Sequence, residues 1–214
     1  MAKPVYVWEF PVRLTHWLNV LAIIVLSCTG FYIGNPFIQS PPGEAILMAA
    51  IRFIHFVSAY VFTLSCLLRI YWSFVGNDYS RWPQFFPIRG KRREEILDNV
   101  KFYMLLRKNP PPAVGHSSTA VLSYLVLFFF FAVEIITGFA LHSETHQGIF
   151  WAFMGGWSLR FFSSSTLRLF HHVAMWLILA FAVVHVYIAW LNDIAERAGV
   201  MSSIFSGYKS PHEE

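Results

Sequence analysis

The stretch from Arg168 to Trp190, RLFHHVAMWLILAFAVVHVYIAW, sets histidines inside an otherwise apolar run, and its reading decides the fold. It is long enough to cross a hydrocarbon core, which takes about 20 residues of helix. An ionisable side chain at that depth is costly unless it has a partner or a role. His171 and His185 are 14 residues apart, about 1400° of helix and about 21 Å of rise, which is only about 40° short of four turns. The two imidazoles therefore share one helix face. His172, one residue nearer to His185, turns about 140° away from that face, so His171 is preferred over it.

Three further apolar runs complete the pattern. Membrane spans are expected over about residues 15–35, 52–75, 118–141 and 168–191, each bounded by polar or turn-forming sequence such as Pro41-Pro42-Gly43, Gly76-Asn77-Asp78 or Asn109-Pro110-Pro111-Pro112. With 56% hydrophobic and 13% charged residues in 214 and a mean hydropathy of +0.51, the chain carries about half the charge of a soluble domain. The fold class expected is all-α: a single integral membrane domain, a four-helix bundle that passes the bilayer several times. The 22 Phe, 9 Tyr and 8 Trp suit lipid contact, interfacial belts and the packing of a flat cofactor. Phe128 to Phe131 give the third span an expected lipid-facing surface.

Of the 16 Lys and Arg, all except Arg52, Arg160 and Arg168 fall on the side holding the N-terminus, the loop at 76–117 and the tail at 192–214. Basic residues stay on the cytoplasmic side, so both termini, that loop and the tail are expected to be cytoplasmic. The segment at 89–108 opposes Lys91, Arg92 and Arg93 to Glu94 and Glu95, which reads as a solvated or headgroup-lying helix rather than a nucleic-acid site. The N-terminus lacks the layout of a cleaved signal, so the first apolar run is expected to be an uncleaved anchor.

On this topology His16 and His185 lie at the inner depth and His55 and His171 at the outer depth. Two imidazoles from different helices supply both axial ligands of a haem iron, and helix-bundle cores are where such sites are built. The pairing predicts two haems, His16 with His185 and His55 with His171. No C-x-x-C-H is present, which excludes covalent attachment and leaves b-type haem. Arg13, Arg52 and Arg168 each stand three residues before a candidate ligand, on neighbouring parts of one face. They are placed to meet haem propionates, the alternative being ordinary snorkelling at helix ends.

The tripeptide Thr-Gly-Phe occurs at residues 29–31 and 137–139, at the outer ends of the first and third spans. Gly30 and Gly138 could let a flat ring approach the backbone, or serve close helix packing. Glu134 lies within the third span, where a carboxylate is paired or functional; a hydrogen-bonded role near the outer haem and proton transfer are both open. His116, His142, His146 and His212 read as surface or span-edge residues.

The patterns R-L-T-H-W-L at Arg13 to Leu18, continuing to Thr29-Gly30, and R-L-F-H-H-V-A-M-W at Arg168 to Trp176, continuing to His185-Val186-Tyr187, resemble the b-type cytochrome subunit of membrane-bound nickel-iron uptake hydrogenases. That resemblance implies a cell inner membrane protein partnered by the hydrogenase small (iron-sulfur) and large subunits. It implies that electrons from periplasmic H₂ oxidation cross to a quinone, and that this chain transfers electrons without splitting H₂ itself. The loops at 36–51 and 142–167 would face those partners. The architecture is also similar to the membrane subunit of formate dehydrogenase and related respiratory reductases. A stand-alone transmembrane reductase and a haemless proton-relaying transporter are the rivals from other classes.

Overall fold

The computed structural model describes residues 3–38, 46–85, 97–98, 100–102, 104, 106, 118–146, 148–196 and 198–210. His116, His212 and most of the 89–108 segment lie outside them. Within that segment, Lys101 pairs with Asp98 at 3.7 Å. Among the described residues, four helices are long and apolar enough to cross a membrane: α1 (Phe10–Gly34), α2 (Ile46–Val75), α3 (Ser118–Ser143) and α5 (Ser164–Glu196). The chain is thus an all-α membrane protein, and its helices extend several residues past the expected apolar spans. The chain resolves into two compact units, residues 8–81 and residues 1–7 with 82–214.

The first unit is the hairpin of α1 and α2. Pro11 lies in the first turn of α1, where its missing N–H breaks no helical bond, so the helix starts five residues before the apolar run. Small polar residues line the contact: Ser65 donates to the carbonyl of fully buried Thr15 at 3.2 Å. The side chain of Glu9 does not cap its own helix. Its Oε2 instead accepts hydrogen bonds from the Trp72 indole at 2.8 Å and the Asn77 N–H at 2.7 Å, tying the start of α1 to the end of α2. Gly76 makes room for that junction, since a Cβ there would stand 2.7 Å from the Trp72 carbonyl and 2.9 Å from Glu9 Oε2.

The second unit packs α3 against α5. Between them the chain forms a short helix α4 (Ile149–Met154) and a 3-10 turn at Gly156–Arg160. This segment rests directly on the α3 backbone: a Cβ on Gly155 would meet the Ile136 carbonyl at 2.3 Å and the Ala140 nitrogen at 2.6 Å. After α5, a helix α6 (Val200–Ser206) ends at Gly207, whose φ of 89° turns the chain into β2 (Tyr208–Lys209). That strand pairs antiparallel with β1 (Val5–Tyr6), Val5 opposite Lys209, so the described ends of the chain meet.

Helical phase splits the phenylalanine run of α3 instead of turning it all outward. Phe129 is 63% exposed while Phe131 is 4% exposed. Elsewhere the outward faces are apolar, with Leu21, Ile24, Leu64, Phe74 and Val183 exposed, as lipid contact requires.

Glu9→Ala removes two hydrogen bonds to a carboxylate and leaves their donors to find water, a cost of about 2 kcal/mol. Denaturant titration in mixed micelles should show the variant less stable by that order; an unchanged midpoint would mean that the junction contributes nothing.

Candidate functional site

Each unit holds one histidine against a Thr-Gly-Phe tripeptide on the neighbouring helix. In the first, Thr29 Oγ1 of α1 lies 2.8 Å from His55 Nδ1 of α2. In the second, Thr137 Oγ1 of α3 lies 2.9 Å from His171 Nδ1 of α5. The direction of these bonds follows from where each hydroxyl hydrogen goes. Thr29 donates to the Val25 carbonyl at 2.7 Å and Thr137 to the Val133 carbonyl at 2.6 Å, the usual back-bond of a helical threonine. With its only hydrogen committed, each hydroxyl can only accept from the imidazole. Nδ1 then carries the hydrogen in both histidines, and the lone pair sits on Nε2.

The glycines lie beside the same rings. A Cβ on Gly138 would stand 3.2 Å from His171 Cε1, tighter than ordinary contact, and one on Gly30 would stand 3.6 Å from His55 Cε1. The nearest neighbour of each glycine is thus the imidazole, a role that spacing alone did not reveal. His171 has a second acceptor: Glu134 Oε2 is 2.8 Å from the same Nδ1, and both side chains are largely buried, 22% and 15% exposed.

His172 takes a different direction. It is exposed, and its Nδ1 donates to the Arg168 carbonyl of its own helix at 2.7 Å. His16 is half-buried on α1, its ring edge-on to Trp17 at 5.2 Å, and His185 is exposed on α5 with its ring stacked on Phe181 at 5.7 Å.

Arg13 is half-buried and Arg52 exposed. Arg168 is exposed and lies 3.5 Å from Glu144, which also accepts from Ser164. At the C-terminal end of α3, His142 and His146 stack at 4.0 Å with Trp151 edge-on to His142 at 4.7 Å, a cluster that the sequence did not announce.

The chain matches the profile of the prokaryotic cytochrome b561 family over residues 7–207. It belongs to that family. A "Probable Ni/Fe-hydrogenase B-type cytochrome subunit" of Cupriavidus necator is 41% identical, the match covering 97% of this chain and 88% of that protein. A protein of the same name from Azotobacter vinelandii is 39% identical over 96% of this chain and 88% of its own length. The "Probable Ni/Fe-hydrogenase 1 B-type cytochrome subunit" of Escherichia coli K12 is 40% identical over 96% and 90%. Membership makes haem b the group to test against the residues present, and the residues fit it. A haem iron takes neutral imidazole, and the hydrogen bond at the far nitrogen sets the tautomer and ring orientation; in this b561-family chain Thr29 and Thr137 make that bond.

The two glycines differ in tolerance. Gly138→Ala should push His171 off its Thr137 bond and cut haem retention several-fold, while Gly30→Ala should stay near wild type, measured as haem per chain after purification. Equal retention in both would contradict the contact distances.

Proposed function

We propose that this chain is the di-haem b-type cytochrome of a nickel-iron hydrogenase complex, carrying electrons from the periplasmic hydrogenase across the inner membrane to a quinone. The observation that carries the reading is the repeated threonine–histidine bond. In each unit the helix pair presents one imidazole with Nδ1 held and Nε2 available. Haem b supplies reversible one-electron chemistry at its iron, and the chain supplies ligation, orientation and an apolar surround.

By their depth along the sequence, His55 and His171 would hold the outer haem and His16 and His185 the inner one. Arg13, Arg52 and Arg168 stand one helical turn before His16, His55 and His171 and meet propionates at the membrane surface. Two features support placing both termini in the cytoplasm: they pair with each other through β1 and β2, and the basic residues concentrate on their side. A nickel-iron hydrogenase partner is supported by the names of the relatives; its iron-sulfur small subunit and large subunit are what the family resemblance implies. It docks on the outer loops at 36–51 and 142–167, of which residues 36–38, 46–51, 142–146 and 148–167 are described.

Pyridine haemochrome analysis of the purified chain should give two b haems. His16→Ala, His55→Ala, His171→Ala and His185→Ala should each lose one, and His172→Ala should keep both; a wild-type chain with none would sink the proposal. In native membranes H₂ should reduce the haems only when the hydrogenase subunits are present. Reduction by formate and not by H₂ would move the chain to a formate dehydrogenase.

A further inference from the structure

The two Thr-Gly-Phe tripeptides are alike, but the residues one turn before them are not. Glu134 stands three residues before Thr137, and the corresponding residue before Thr29 is Leu26. Neither α1 nor α2 contains an Asp or Glu, so the helix pair that positions His55 brings no carboxylate of its own. On α3, by contrast, Glu134 Oε2 reaches His171 Nδ1 at 2.8 Å, while Thr137 Oγ1 reaches the same atom at 2.9 Å. Glu134 Oε1 is buried and makes no hydrogen bond among the described residues. A half-satisfied carboxylate inside a membrane helix is expensive to keep, which points to a function for the oxygen that is bonded.

We propose that Glu134 is a positioning residue for His171: its carboxylate accepts the Nδ1 hydrogen and so lowers the reduction potential of the iron that His171 ligates. The proposal rests on His171 being a ligand, as argued above. When Nε2 binds iron, Nδ1 must carry the imidazole's hydrogen, and Thr137 has already committed its own to Val133. Glu134 Oε2 can then only accept. A charged acceptor makes a stronger bond than a neutral hydroxyl and draws the hydrogen away from the ring, which raises ligand basicity. A more basic imidazole favours the electron-poor ferric iron over the ferrous. The couple remains one electron with no proton transferred. Of the two histidines that would hold the outer haem, His171 is the one so tuned.

The test is a potentiometric titration of the haem absorbance in the purified full-length chain. Glu134→Gln keeps the shape and an acceptor but removes the charge. It should retain both haems and shift the reduction equilibrium of one about tenfold towards the ferrous form, about 59 mV for a one-electron couple, with the other unmoved. Glu134→Asp, which keeps the charge, should shift the same haem less. An unchanged potential with both haems present would overturn the tuning. So would loss of haem from Glu134→Gln, since an isosteric change that empties the site would make Glu134 a structural support. His171→Ala separates this failure from failure of the ligand assignment: retention of both haems in that variant would overturn the assignment itself, and the tuning with it.

Discussion

A threonine hydroxyl inside an apolar helix has one hydrogen and a strong reason to spend it on the carbonyl one turn back. Once Thr29 and Thr137 do so, their oxygens become pure acceptors, and the histidine across the helix contact has to supply the hydrogen. The constraint is local and inexpensive, yet it settles which nitrogen of His55 and of His171 faces outward from the contact with its lone pair. It also sets how close the helices must come. The glycine that follows each threonine lies against the same ring, with a Cβ position at an ordinary 3.6 Å from the imidazole at Gly30 and a tight 3.2 Å at Gly138.

Each unit then protects that contact in its own way. In the α1–α2 hairpin, Glu9 bonds Trp72 and Asn77 at the opposite end from Thr29 and His55, so the two helices are tied at both ends. In the α3–α5 unit, Gly155 seats the connecting segment on the α3 backbone, and Glu144 joins the end of α3 to Ser164 and Arg168 at the start of α5. The repeated tripeptide is thus backed by unrelated supports, and the chemical environments of the two histidines differ accordingly.

Much of this was legible in the sequence. Apolar run length gave the four long helices, because hydrocarbon thickness allows few other readings. Phase at about 100° per residue separated His171 from His172, and the rings do go to different sides, one to α3 and the other back to Arg168. The helix ends were less legible, since Pro11 reads as a breaker until its place in the first turn is known. In the Thr-Gly-Phe tripeptides the glycines stand out in the sequence and Thr29 and Thr137 do not. A threonine in an apolar helix normally bonds its own backbone, and no pattern along the chain tells that its lone pair is also in use. Glu9 with Trp72, and β1 with β2, join residues too far apart in sequence for periodicity to reach. Glu134 could be singled out by the cost of its charge, but its contact with His171 needed three dimensions.

The central claim is that two histidines, each held at Nδ1 by a threonine on the neighbouring helix, offer Nε2 to iron. A high-resolution experimental map of the haem-loaded complex tests it most directly. The account predicts iron on Nε2 of His55 and of His171 with the Thr29 and Thr137 hydrogen bonds intact. Iron on His172, or on Nδ1 of either histidine with the threonine bond broken, would contradict it.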